Sequence, residues 1–257
     1  MNAILPVIIH VLDRFCGLAM LFGVISGTLM SMAVIFQKRK ITLTNFLSAI
    51  LLLLFSCTLL SNYFIYKLIY PAYPGLYFLP IHASFSLGPL FFFYIKSRLY
   101  PALRITPQDN KHFLMPVLQL VTLGILSFTG IPFRREVMAC CSSPIYGFVE
   151  NALYIWLMGM YLYFAYSFIR HERYSVLRTG ADKRFILMLG WLKRQTKVLT
   201  ILFGIHATCL ISFFISYRFL GVDLSGKILF SLVRELSFAG MLYWLVLNAF
   251  FALRRGL

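Results

Sequence analysis

Long apolar runs constrain this chain more tightly than any other feature of it. Seven windows of mainly apolar residues lie near 15–36, 43–69, 76–95, 113–131, 145–169, 198–219 and 228–253. Each approaches or exceeds the roughly 20 residues that a helix needs to cross a bilayer's hydrocarbon core. A segment in that core must satisfy its own backbone N–H and C=O groups, so the runs read as helices. The predicted fold is therefore all-α: a polytopic membrane helix bundle of about seven transmembrane helices, forming a single membrane domain over residues 1–257. Windows three and four are the weakest, because Pro80, Pro89 and Pro116 lie inside them or at their edges. Composition closes the soluble alternative. Sixty per cent of the residues are apolar and 12% are charged, against about 25% charged in an ordinary globular domain.

The formal charge of +16 would suggest nucleic acid if the basic residues shared one folded face. Instead they follow the loops. Lys38, Arg39 and Lys40 come after the first window, and Lys96, Arg98, Arg104 and Lys111 after the third. Arg170, Arg173, Arg178, Lys183, Arg184, Lys193, Arg194 and Lys197 separate the fifth from the sixth, and Arg254 and Arg255 follow the seventh. These are 17 of the 24 basic residues, all on one side of a seven-span arrangement. Short cytoplasmic loops carry such an excess. The expected topology puts the N-terminus outside and the C-terminus in the cytoplasm. Asp13 and Arg14 precede the first apolar run and a basic cluster closes it, which favours an uncleaved span over a signal peptide.

The longest loop by this reading is 170–197, too short for a soluble domain. Its second part, 183–197, is apolar but bracketed by base. It is expected at the cytoplasmic interface, anchored by Trp191, Lys193 and Arg194 among anionic headgroups. The outer connections, 70–75, 132–144 and 220–227, are short, so a sensed ligand would have to bind among the helices.

Ionisable groups within spans are costly and usually face a bundle interior. His82, Glu150, His206, Arg234 and Glu235 are the candidates for a buried polar or ligand site. Arg234 and Glu235 stand about 100° apart on a helix. Arg234 is therefore expected to pair with Glu150, and Glu235 to meet His206 or His82. Asn62 and Asn248 offer interhelical hydrogen bonds. Cys16, Cys57 and Cys209 read as small apolar residues. Cys140 and Cys141 fall in an outer loop, where thiols can oxidise. No metal-ligand spacing, phosphate cradle or catalytic constellation is present, so neither an enzyme nor a cofactor is expected. A small transporter or channel using the buried polar residues is the alternative, although no paired broken helices support it.

Three stretches carry a resemblance. The third window ends Ser86-Leu-Gly88-Pro89-Leu90-Phe-Phe-Phe-Tyr94-Ile-Lys96-Ser97-Arg-Leu99-Tyr-Pro101. Asp109-Asn-Lys-His112-Phe113-Leu-Met-Pro116 opens the fourth, and Trp191-Leu192-Lys193-Arg194 leads into the sixth. In their order and spacing these resemble the seven-helix N-terminal membrane region of bacterial AraC-type transcription regulators. The resemblance implies a sensory and signal-relaying membrane module. Its partners would be the lipid bilayer, a cytoplasmic regulatory protein and a second copy in a homodimer. The helix-turn-helix domain that follows the last span in that family is not among these 257 residues, so no direct nucleic-acid binding is expected. Gly88 and Pro89 mark a candidate switch helix: Gly88 lets a neighbour approach, and Pro89 removes a backbone donor and favours a kink. Lys96 joins Trp191, Lys193 and Arg194 as an interface anchor.

Overall fold

The computed structural model describes residues 4–36, 42–76, 78–141, 144–179, 183–222, 224 and 228–254. Lys38, Arg39, Lys40, Lys227 and Arg255 lie outside the described residues, as do the side chains of Cys140, Cys141, Arg178 and Lys183.

Nine α-helices are described: α1 (Ile4–Phe36), α2 (Leu43–Tyr66), α3 (Ile69–Ala72), α4 (Ser84–Leu99), α5 (Leu114–Ser127), α6 (Ile131–Cys141), α7 (Pro144–Thr179), α8 (Lys183–Leu220) and α9 (Ile228–Arg254). Five of them are long and apolar enough to cross a membrane, over Ile8–Phe36, Leu43–Tyr66, Gly147–Ser175, Arg184–Leu220 and Ile228–Arg254. The protein is a helical membrane bundle. Helices α2, α4, α7, α8 and α9 pack in that order around a closed ring; α1 lies against α2 and α9, and α5 rests on α4. Phe55, Phe91, Phe93, Phe238, Met20 and Leu52 fill the interior.

Windows three and four become shorter helices than expected. Helix α4 starts only at Ser84 and has 16 residues, about 24 Å at 1.5 Å per residue. Helix α5 has 14, about 21 Å. Upstream of α4 the chain turns instead, with left-handed backbone at Leu68 and Phe78 and a 3-10 turn at Pro74–Leu76. Burial makes a short α4 tenable, because its end groups meet side chains rather than lipid. The Ala83 N–H donates to Thr58 Oγ1 (3.3 Å) and the Phe85 N–H to Gln119 Oε1 (3.1 Å). Helix α4 continues through Pro89 to Leu99.

Two connections expected to be loops are helical. Residues 132–141 belong to α6, where Arg134 donates to the carbonyls of Gly75 (3.0 Å) and Thr129 (2.8 Å). Most of 170–197 extends α7 and α8. With 36 and 38 residues, these helices run about 54 and 57 Å, far beyond a core of about 30 Å. Segment 183–197 forms the first part of α8. Leu189, Leu192, Thr196 and Leu199 repeat at helical spacing and are buried, forming the stripe that holds it to the bundle.

Helices approach most closely where a side chain is missing. At Gly27 a Cβ would collide with the Ser56 hydroxyl and with Leu242 Cδ1 at 2.9 Å, so α1 sits deep between α2 and α9. Small residues drive membrane packing by admitting such contact. Gly204 on α8 faces open space. Gly27→Val is expected to destabilise the bundle by about 1–3 kcal/mol through overpacking, seen as a lower thermal midpoint in detergent. Gly204→Ala should leave that midpoint in place or raise it slightly.

Candidate functional site

The expected intramembrane residues form two groups, and no hydrogen bond or ion pair among the described residues joins them. The first lies between α8 and α9. His206 is buried and its Nδ1 is 3.0 Å from the Arg234 carbonyl. A carbonyl only accepts, so the proton sits on Nδ1. Ser237 Oγ donates to the same carbonyl (2.7 Å). The Arg234 side chain reaches its own neighbour: Nη2 and Nε lie 2.7 and 2.8 Å from Glu235 Oε1. This corrects the expected pairings of Arg234 with Glu150 and of Glu235 with His206 or His82. A guanidinium on three methylenes is long enough to fold back across the 100° that separates the two Cβ vectors. Glu235 Oε2 is buried and makes no hydrogen bond, and neither does the buried Tyr154 hydroxyl. The Tyr154 ring lies 6.0 Å from that of His206.

The second group sits at the start of α4. His82 Nε2 is 3.7 Å from Glu150 Oε1. Gln119 on α5 ties the group together, donating from Nε2 to Ser84 Oγ (3.1 Å) and to Glu150 Oε1 (3.4 Å), while its Oε1 accepts from Phe85. Gln119 is buried at 8% exposure. A lone glutamine in an apolar run was its only sequence signal. A third polar contact was also missed: Lys67 Nζ and Tyr66 Oη each lie 2.6 Å from Asp13, tying α1 to the end of α2. Asp13 reads in sequence as a flanking charge, because nothing local pairs it with a residue 54 positions away.

The residues of the three family-like stretches come together around α4. Gly88 packs directly on the α7 backbone, where a Cβ would stand 3.2 Å from Met158 Cα and 3.3 Å from the Leu157 carbonyl oxygen. Pro89 is buried beside it. Phe93 stacks on Phe113 (5.3 Å between centroids) and meets His112 edge-on (5.7 Å). His112 Nδ1 and Tyr161 Oη share a 2.8 Å hydrogen bond; burial, with Lys111 beside it, holds this imidazole below its usual pKa. Lys96 Nζ lies 3.9 Å from Asp109. Asp109 Oδ2 accepts from both the backbone N–H and the hydroxyl of Thr106, each at 2.8 Å, a capping box on the 3-10 turn Pro107–Phe113. Those two donors, with Lys96 helping, hold its carboxyl below the ordinary range. Trp191 approaches from α8 to the Arg98 guanidinium, 6.0 Å from the ring. Lys193 Nζ is 5.9 Å from the Tyr166 ring, and Arg194 is exposed.

An open depression of about 430 Å³ on α6 is lined by Ile131, Pro132, Arg135, Glu136 and Ala139. A water-sized cavity of about 10 Å³ lies among Ser48, Tyr94, Gln195 and Leu245. Among the described residues no three His, Cys, Asp or Glu side chains are placed to hold a metal ion. The fold and these groups define a class, the helical membrane bundle with buried polar contacts. No protein-family model matches the chain, and no curated protein is significantly similar to it.

Removing one partner of a buried pair strands the other charge. Arg234→Met should cost about 3–5 kcal/mol, measured by thermal unfolding in detergent, and Arg234→Met with Glu235→Leu should recover most of that loss. Asp109 has a pH signature. A carboxyl with a lowered folded pKa stabilises fully above the unfolded value near 4. That contribution fades as pH falls through the lowered folded value. Asp109→Asn should therefore lower stability at pH 7 and make it less sensitive to acid below about pH 4.

Proposed function

We propose that this protein is a non-enzymatic sensory and signal-relaying membrane module, related in organisation to the membrane part of AraC-type regulators. One observation carries the reading: the residues of three separated family-like stretches meet in a single junction of α4, the 107–113 turn, α7 and α8. In this reading α4 is the moving part. Its outer end is held by Gln119 and Thr58, its middle by the Gly88 contact with α7, and its inner end by Lys96 and Arg98. A change at the His82–Glu150–Gln119 group would pass along α4 to the basic ends of α7 and α8, where a cytoplasmic regulatory partner docks.

The arrangement proposed is seven crossings, N-terminus outside and C-terminus in the cytoplasm of a bacterial inner membrane, with α4 and α5 as the two short crossings. Two contacts support counting them. The Tyr100 hydroxyl donates to Glu172 Oε1 at 2.8 Å, and His112 meets Tyr161, so the 100–113 connection lies level with the basic end of α7. In a cysteine-free variant carrying Ile105→Cys, a membrane-impermeant maleimide should label inside-out vesicles and spare intact spheroplasts. Labelling of spheroplasts would leave five crossings.

For the relay itself, Gly88→Leu and Glu150→Gln should alter the set of transcripts controlled in the source bacterium while leaving membrane insertion intact. Variants that insert normally and leave every transcript unchanged would remove the switch assignment. A small transporter or channel is the second reading, favoured by the unpartnered Glu235 Oε2 and Tyr154 Oη within the bundle. Solute uptake by proteoliposomes that is lost in Glu235→Gln would select it.

A further inference from the structure

The end of α4 holds an arginine with no counter-charge among the described residues. Arg98 occupies the last turn of α4, one residue beyond Ser97, whose carbonyl accepts from Thr44 Oγ1 at 3.0 Å. That bond places it level with the start of α2. On α8 the long apolar run begins after Lys197, so Trp191 and Lys193 stand at the same boundary. The Arg98 guanidinium carbon lies 5.5 Å from the Tyr94 ring and 6.0 Å from the Trp191 ring. The side chain is half-buried, and its buried Nε donates to nothing among the described residues.

No acid in the described inner end answers this charge. Asp109 is committed to Thr106 and Lys96, and Glu172 accepts from Tyr100. Arginine is suited to such a position, because its planar fork stacks on aromatic rings while its edge donates to a phosphate. Partly buried charge at a membrane edge is costly unless something neutralises it. Basic pockets between helices on the cytoplasmic side bind anionic headgroups in just this way.

We propose that Arg98, beside Tyr94 and Trp191, is a binding site for the phosphate of an anionic phospholipid headgroup. The site joins α4 to α8 through a lipid, so the junction would sense the anionic content of the inner leaflet. This rests on the topology proposed above, which puts the end of α4 at the inner leaflet, and not on the relay itself.

The test is native mass spectrometry of the full chain in detergent, titrated with phosphatidylglycerol or with phosphatidylcholine of the same acyl composition. Phosphatidylglycerol should be retained roughly fivefold better, the factor that one well-placed basic side chain contributes at an anionic surface. Arg98→Gln should bring the two lipids level. Lys111→Gln, which removes an equal charge from the exposed 107–113 turn, should keep the preference. Equal retention by the unaltered chain would overturn the proposal. So would an equal loss in both variants, which would mean general surface charge only. Displacement of the lipid by inorganic phosphate alone would assign the site to a soluble anion and overturn the lipid. Should Arg98→Gln fail to fold, quenching by brominated lipids decides: the excess from the anionic lipid should vanish in Trp191→Phe, and its persistence there rejects the site.

Discussion

A polar backbone in an apolar medium has to be satisfied from within the protein, and that requirement organises this structure from α4 outward. A 16-residue helix is too short to carry its own ends to water on both sides. Its first N–H groups are instead taken up by Thr58 of α2 and Gln119 of α5, each reaching across from a different helix. Enclosure between α2 and α7 is the condition for that solution, and Gly88 is what allows the enclosure to be tight. Once α4 is fixed this way, the neighbouring helices form a ring because each must cover a face of it or of its neighbour.

Side-chain polarity follows the same rule. Arg234 and Glu235 neutralise one another where they stand, and the Arg234 carbonyl, already accepting within its helix, takes further donors in His206 and Ser237. Asp13, Tyr66 and Lys67 form a comparable knot on the opposite flank of the bundle. Such groups are unevenly satisfied: Glu235 Oε2 and Tyr154 Oη have no partner among the described residues, while the Gln119 amide uses both its oxygen and its nitrogen. Fully paired groups fix geometry, whereas unpaired buried ones raise the energy of the state that contains them. The contrast separates the part of the bundle that holds position from the part with something to gain by rearranging.

Much of the architecture was legible in the sequence because hydrophobicity over 20 residues is a strong signal and five helices carry it outright. Windows three and four misled in extent. Hydropathy registers how apolar a stretch is, and 78–83 is apolar without being helical, since Pro80 and the left-handed Phe78 turn the chain there. The inner connection misled in the opposite sense, because Arg170–Lys197 looked like a loop by charge, yet its apolar stripe at helical spacing prolongs both neighbours. The polar residues were identified individually but matched to the wrong partners. Proximity between helices depends on rotation about each axis, and one sequence does not contain that angle. Gln119 and Arg98 stood out least, their importance coming wholly from what surrounds them.

The length of α7 and α8 has a mechanical consequence. The ends of both helices lie about 27 Å from their mid-points, and α8 stays packed on the bundle as far as Leu189 and Leu192. Stiff rods held near one end convert angle into displacement. A change in tilt of a few degrees within the bilayer, too small to disturb side-chain packing around Gly88, swings their far ends by roughly an ångström or more over that distance. Amplitude at the far tip is therefore set by geometry and not by how far any group in the membrane has to travel.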